Sequence, residues 1–405
     1  MSRYRAALAV PEFRAIFIAH VISMTGTVTA NFALVFLIYS RTGSTLLSAL
    51  VFALVLAPHL LAGTLLSSLI DRLPARRLLV TCNVVSAALV VVMSFGGTPV
   101  PAVLLLAFAL GMIEPVFAGT RAAVLPDILP GETYVPGRSL LRLVIQGAQL
   151  GGYAVGGLLL AVLSPPSLLL VNAGCFLTSA IVLRLFTKER RPEVRSEQTT
   201  RRSLLVDSLV GVKAVMANRK VRRILVLGWA VPAIGVAPEA MAVPYADALG
   251  AAALGAGLML SAMPIGTVLG EICTNWLISP QRQMRLVTPT AMILFTPLLF
   301  FAARPGLPLA ILLLVLSGLG FSLQVGQDRK LLEVVSDDLR ARTLSLQMAG
   351  LMFWQGLGFA VAGVVGQFLS PHHVVAAAGC CGLVVVALWA IRRPANAPVK
   401  VGGVR

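Results

Sequence analysis

Ser67-Ser68-Leu69-Ile70-Asp71-Arg72-Leu73-Pro74-Ala75-Arg76-Arg77-Leu78-Leu79 is a short charged hairpin between two long apolar runs. Asp71 ends the first run, and Arg72, Arg76 and Arg77 open the second. A bilayer interior offers no water to this many charges, so the hairpin belongs at an aqueous surface. Its arginines predict that the surface is cytoplasmic. The stretch therefore reads as the link between two membrane-spanning helices.

Composition extends that reading to the whole chain. Hydrophobic residues make up 58% of the 405 and charged residues only 12%, about half the charged share of a soluble domain. A net charge of +17 would point to nucleic acid in a soluble protein, but no basic stripe here is interleaved with stacking aromatics. No nucleic-acid partner is expected, and the bias of positive charge toward one membrane face accounts for the basic balance. Cys82, Cys175, Cys273, Cys380 and Cys381 all lie in apolar runs and imply no disulfide framework. The first apolar run is too long for a cleavable signal peptide.

Twelve apolar segments are long enough to span about 30 Å of hydrocarbon. They cover residues 14–39, 45–70, 77–95, 101–123, 137–163, 167–186, 222–247, 251–278, 285–303, 307–328, 342–370 and 374–391. With both termini inside, only Arg41 and Arg304 of the 33 Lys and Arg fall outside. The expected topology is thus multi-pass with cytoplasmic termini. The longest polar stretch divides the spans six and six. It defines an N-terminal bundle (1–186), a cytoplasmic linker (187–221) and a C-terminal bundle with a short tail (222–405). Leu205, Leu209, Val212 and Met216 recur in the linker at helical spacing, which predicts an amphipathic helix on the inner leaflet.

The halves repeat. Gln149-x-x-Gly152-Tyr153-Ala154-Val155-Gly156-Gly157 matches Gln355-x-x-Gly358-Phe359-Ala360-Val361-Ala362-Gly363 at an offset of 206. The same gapless offset sets Asp127 on Glu333 and Ser139-Leu140 on Ser345-Leu346. Spans 5 and 11 are therefore equivalent, as duplicated transporter halves require.

With these features on the page, the hairpin at 71–77 resembles the signature loop between helices 2 and 3 of the major facilitator superfamily, Gly-x-x-x-Asp-Arg-x-Gly-Arg-Arg. Asp71, Arg72, Arg76 and Arg77 match; Ser67 replaces the first glycine and Pro74-Ala75 interrupts the second half. The resemblance implies an all-α membrane protein, with twelve transmembrane helices in two pseudo-symmetric six-helix bundles. It also implies a gating role for Asp71 against the start of helix 11, while Arg76 and Arg77 are expected to anchor to lipid phosphate. Arg41-Thr42-Gly43-Ser44, Thr120-Arg121-Ala122-Ala123-Val124-Leu125-Pro126-Asp127 and Glu333-Val334-Val335-Ser336-Asp337-Asp338-Leu339-Arg340-Ala341-Arg342 are similar to the bacterial branch with enterobactin exporters and macrolide efflux proteins. That similarity implies a monomeric transporter of the bacterial inner membrane, surrounded by membrane lipids and exporting amphiphilic small molecules, usually by proton antiport. A uniporter, a lipid-like flippase and a transport-dead sensor or scaffold are the alternatives.

Ionisable groups inside spans are costly and mark function. Glu114, Glu239, Glu271 and Arg142 are the candidates, with Glu114 and Arg142 close enough in depth to pair. Gly147, Gly151, Gly152, Gly156 and Gly157 resemble an antiporter signature without its proline. Their local reading is close helix–helix approach. Thr25, Thr27 and Thr29 of span 1 stand where many relatives carry an acid, and are expected to bond their own backbone. Asn31, Gln146, Gln149, Gln324, Trp354 and Gln355 are expected to contact the cavity. No histidine or cysteine has metal-ligand spacing and no catalytic arrangement emerges. Neither a metal, a cofactor nor an enzymatic activity is expected.

Overall fold

The computed structural model describes residues 2–59, 73–190, 212–213 and 215–391. Asp71, Arg72 and most of the expected linker helix lie outside the described residues. After a short helix, Ser2–Ala9, twelve helices run back and forth. We label them α1 (Pro11–Thr42), α2 (Thr45–Leu56), α3 (Ala75–Ser94), α4 (Val100–Ile128), α5 (Tyr134–Leu160) and α6 (Pro165–Phe186). Then come α7 (Arg219–Ala248), α8 (Ala252–Leu277), α9 (Pro280–Leu299), α10 (Leu307–Val334), α11 (Asp337–Val365) and α12 (Pro371–Ile391). Among the described residues, eleven are long and apolar enough to cross a membrane, and Thr45–Leu56 is a shorter apolar helix.

The tightest turn shows how local chemistry ends one helix and starts the next. Gly43, at φ 61°, closes α1 in the left-handed conformation and donates its N–H to the Tyr39 carbonyl, a cap that a Cβ would strain. Ser44 then caps α2, its Oγ accepting from the Leu47 N–H at 3.2 Å. Asn218 starts α7 the same way, Oδ1 accepting from the Lys220 N–H at 3.0 Å.

Several helices outrun the segments expected from hydropathy. The 124–141 stretch, read as a polar connection, is helical except near Leu129–Thr133, where Pro130-Gly131 breaks the chain. The 329–342 stretch likewise breaks only around Val335–Ser336. Charged residues stop a hydrophobic run but not an α-helix. α4, with 29 residues, is roughly 43 Å long and extends well beyond a 30 Å apolar layer.

The arginines gather where α2 meets α3, α4 meets α5, α6 ends, α8 meets α9 and α10 meets α11. We call this the arginine-rich end. A clasp forms there around Glu12 at the start of α1, which is buried. The Lys188 N–H donates to Glu12 Oε1 at 2.9 Å, and Arg190 donates to both carboxylate oxygens at 2.5 and 2.8 Å. That bond holds the Arg190 guanidinium above its usual pKa. Arg76 and Arg77 both reach Glu189, at 2.7 and 2.6 Å. Their partner here is thus a carboxylate just past the end of α6. Glu12→Ala removes three acceptor contacts, so it should cost about 1–3 kcal/mol. Thermal unfolding in detergent reads that loss as a lower midpoint, with Glu12→Gln intermediate.

Late in the linker, Val215 is buried in a cluster with Val221, Leu225, Leu331 and Val335, and Met216 packs on it. The end of the linker is therefore docked on the arginine-rich ends of α7 and α10.

Candidate functional site

Four glycine contacts obey the sequence repeat: Gly152 and Gly358 pack within their own halves, and Gly157 and Gly363 join the two halves. Gly152 of α5 packs on Val28 of α1, and its repeat mate Gly358 of α11 packs on Ala233 and Val236 of α7. Gly157 of α5 meets Gly257 Cα and Ala253 O of α8, and its mate Gly363 meets Ala49, Leu46 and Thr45 of α2. An added Cβ on Gly257 would lie 2.7 Å from Tyr153 O and 2.8 Å from Gly157 Cα. Only glycine permits that approach. Gly147 and Gly151 have nothing within 4 Å of an added Cβ, so the glycines of α5 divide between a packed face and an open one.

The same end is sealed by polar and aromatic contacts between halves. Gln367 donates to Ser44 Oγ at 2.9 Å and to Thr45 Oγ1 at 3.2 Å, while Thr45 donates to Gly363 O at 3.3 Å. Phe52 of α2 stacks on Phe359 of α11 with centroids 4.8 Å apart. These residues lie toward the arginine-poor end or midway along the helices.

Toward the arginine-rich end, the described residues of α5 include an open face. Some 15 residues, roughly 22 Å, along α5 from Gly157 stands Arg142. At the matching level of α8 stands Glu271, within electrostatic reach of Arg142. Among the described residues the two form no ion pair within 4.0 Å. Arg142 and Gln149 are exposed, while Gln146 and Glu271 are half-buried. Asp328 of α10 also acts on Glu271 and accepts a hydrogen bond from Gln347 of α11 at 2.8 Å. The acid facing Arg142 is thus Glu271, across the interface; Glu114 has Arg121 of its own helix as its charged neighbour.

Glu239 lies deeper. α7 breaks at Val236 between Arg219–Gly235 and Ala237–Ala248. Pro232 and Pro238 bracket the break, and Pro238 lacks the N–H that would reach the Ile234 carbonyl across it. Glu239 sits in the first turn of the second piece, half-buried, with Tyr153 of α5 in electrostatic reach. Of the two prolines that flank Glu239, Pro238 stands at the break and Pro244 lies inside the second piece without breaking it.

Glu114 belongs to a different cavity, enclosed by α1, α2, α3, α4 and α6 of the N-terminal half. Its volume is about 80 Å³. Asn31 lines this cavity and is half-buried. Gln324 and Gln355 are half-buried in the C-terminal half, and Trp354 is exposed beside Phe353. Thr27 bonds its own helix, donating to Ser23 O at 2.8 Å; Thr29 instead crosses to Gly152 O on α5 at 3.1 Å.

Two ionisable groups of the interior, Arg121 (buried) and Asp328 (half-buried), are missing from the sequence reading. Arg121 of α4 is buried, donates to His20 Nδ1 at 2.5 Å and lies over the Phe117 ring. Asp328 is the other. Both fell at the last residues of hydropathy segments and were counted with the surface charges. Their helices continue six or seven residues further, which places them roughly 10 Å from the helix ends.

Twelve helices in two pseudo-symmetric bundles, closed on each other at one end and carrying acids between and within the bundles, define a membrane transporter. The family model of the Major Facilitator Superfamily matches residues 16–327, and the chain belongs to that superfamily. Solved structures similar over nearly the whole chain include the nucleoside transporter NupG (14% identity, 94% of this chain and 98% of that one, TM-score 0.75). A bacterial homologue of the iron transporter ferroportin in an inward-facing state matches with 14% identity, 94% and 99% coverage and TM-score 0.70. A POT family transporter in complex with a thioalcohol-conjugated peptide matches with 11% identity, 94% and 95% coverage and TM-score 0.73. No curated protein sequence matches the chain.

Proposed function

We propose that this transporter exports amphiphilic small molecules across the bacterial cytoplasmic membrane by alternating access, in exchange for protons. The observation that carries the reading is the asymmetry among the described residues: glycine-packed contacts between halves at the arginine-poor end, and Arg142 exposed without an ion pair to Glu271 at the arginine-rich end. With arginines toward the cytoplasm, this is the state that loads substrate from inside. Apolar surface with a few amides suits an amphiphile, and acids shared between the halves suit a proton carrier whose surroundings change as the halves rock. The strings Arg41–Ser44, 120–127 and 333–342 support the branch of enterobactin and macrolide exporters. Proteoliposomes with an imposed pH gradient test the proposal: substrate should be concentrated against its gradient only while the pH gradient lasts. Flux that ignores the gradient would favour a uniporter or flippase, to which Thr27, in place of an acid on α1, is suited. A chain that moves nothing would be a sensor or scaffold.

Topology is a separate expected outcome. Single cysteines at Gly97 and His372, in a background lacking the five native ones, should react with impermeant maleimide from outside the cell. One at Ala75 should react only after the membrane is opened. External labelling at position 75 would invert the assignment of cavity openings.

A further inference from the structure

Between the arginine-rich ends of α3 and α6 lies a groove with more positive charge than the protein balances. Arg76 and Arg77 stand in the first turn of α3 and Arg184 in the last turn of α6. With Val80, Thr81 and Glu189 they line an open groove of about 370 Å³. Glu189 is its one carboxylate among the described residues, so three guanidinium groups face a single negative charge and two positive charges are left over. Hydrogen-bond donors are left over as well. Arg76 is engaged with Thr187 O at 3.4 Å and Glu189 at 2.7 Å. Arg77 meets Glu189 Oε1 through Nε, which leaves both terminal nitrogens of its fork, and its side chain is 71% exposed. Arg184 has no hydrogen bond or ion pair among the described residues. The N-terminus of α3 adds its own partial positive charge, which makes it the wrong end of a helix for two arginines unless anions join them. Next to the groove, α3 and α6 pack along each other and turn apolar side chains outward. Val84 and Val85 of α3 and Leu177, Ile181 and Leu185 of α6 are all exposed. Arg77, Thr81 and Val84 follow one face of α3, and Leu177, Ile181 and Arg184 follow one face of α6, both at the spacing i, i+4, i+7. Each stripe thus runs from a cation at the aqueous boundary to side chains that face hydrocarbon. A free phosphate would use the arginines alone, whereas a phosphate diester carrying acyl chains uses both.

We propose that the groove between α3 and α6 binds the headgroup of an anionic phospholipid from the leaflet at the arginine-rich end. Its phosphate lies between Arg77 and Arg184, and its acyl chains follow the two apolar stripes. Guanidinium forks match phosphate oxygens in charge and geometry. A zwitterionic lipid carries the same phosphate but would bring its own cation into a groove with two unbalanced positive charges, which selects against it. The site is on the outer side of one half, away from the interface acids, and does not depend on the export reading.

The test titrates the purified full chain in detergent with phosphatidylglycerol and, in parallel, with phosphatidylcholine of the same acyl chains. Native mass spectrometry counts the bound lipid. Phosphatidylglycerol should bind at least about tenfold more tightly, and Arg184→Gln should weaken it about fivefold, the scale of one basic residue at an anionic lipid surface. Arg184→Lys, which keeps the charge but loses the fork, should lie between. Glu189→Gln keeps an acceptor for Arg76 and Arg77 while leaving all three guanidinium groups unbalanced, so it should bind the lipid more tightly than the wild type. Arg282→Gln, at the start of α9, removes the same charge elsewhere on the arginine-rich end and should bind as the wild type does. An excess of glycerol phosphate, the headgroup without its chains, should displace nothing. Thermal midpoints give a second reading: phosphatidylglycerol should raise that of the wild type and not that of Arg184→Gln. Equal binding of the two lipids, or wild-type affinity in Arg184→Gln, overturns the site, as does weaker binding in Glu189→Gln. Equal weakening by Arg282→Gln would make the attraction a diffuse surface charge, and displacement by glycerol phosphate would make the groove a free-phosphate site. Either result also overturns the proposal.

Discussion

Proteoliposomes carrying Glu239→Gln together with Glu271→Gln should fail to concentrate substrate on a pH gradient, yet still exchange substrate for substrate. Coupling requires a group whose proton affinity differs between the two states of the carrier. Glu271 faces Arg142 across the interface without an ion pair among the described residues, and this end must close when the other opens. Closure would bring a cation onto this carboxyl and reopening would withdraw it, and a neighbouring charge is among the strongest influences on proton affinity. Glu239 sits at the break of α7 beside Tyr153, on the closed side of the same interface. Glutamine preserves size and hydrogen bonding at both positions while abolishing titration. Uphill transport should fall by about two orders of magnitude, the scale of losing one committed proton carrier. Exchange, which needs no net proton movement, should stay within a few-fold of wild type. Uphill transport at the wild-type level by the double variant would remove both acids from coupling and favour a uniporter. Glu114, with Arg121 in its own helix as charged neighbour, is ranked below them for this role.

Replacing Gly257 by leucine should arrest the cycle from the other side. The α5–α8 contact leaves no room for a side chain: a single Cβ already falls 2.7 Å from Tyr153 O, closer than packed atoms tolerate, and leucine adds three more carbons. Overpacking of this kind costs about 1–3 kcal/mol or more. Here the cost falls only on the state in which the arginine-poor ends touch, because the open state separates Gly157 from Gly257. A bias of 3 kcal/mol would shift the balance between states by roughly 150-fold. The chain should insert and fold normally, rest open at the arginine-poor end, and turn over at least tenfold more slowly. Maleimide labelling of a cysteine at Gln149 from outside the cell should rise in Gly257→Leu relative to the parent. Unchanged labelling with unchanged turnover would mean that the glycine contact is not the outer closure. Gly363→Leu, at the repeat-related contact with α2, should act alike, whereas Gly151→Leu, whose added Cβ meets nothing within 4 Å, should leave the resting state alone.

Much of this architecture is legible in the chain itself. Twelve apolar runs, a one-sided arginine distribution and a 206-residue repeat suffice for the fold, because a bilayer forces each apolar run to satisfy its backbone within one helix. The repeat also predicts that α5 and α11 play equal parts, and Gly152 with Gly358 and Gly157 with Gly363 do so in atomic contact. The break in α7 is legible only in part: Pro238 stands at it, while Pro244 leaves its helix unbroken.

Partnership is where local reading stops. The sequence pairs Arg142 with Glu114 by depth in the membrane, while the folded chain sets Arg142 toward Glu271, more than a hundred residues away. It gives no sign that Arg76 and Arg77 meet Glu189, more than a hundred residues away. Arg121 reads as a surface charge and is buried on His20. Depth along a helix axis is set by counting residues, so the sequence determines it. The direction a side chain faces around that axis is set by which helices pack on which sides, and a hydrophobic run with almost no moment leaves that rotation undetermined. Only the tertiary packing, governed here by where glycines let two backbones touch, decided which acids share the interface and which one is enclosed within a single half.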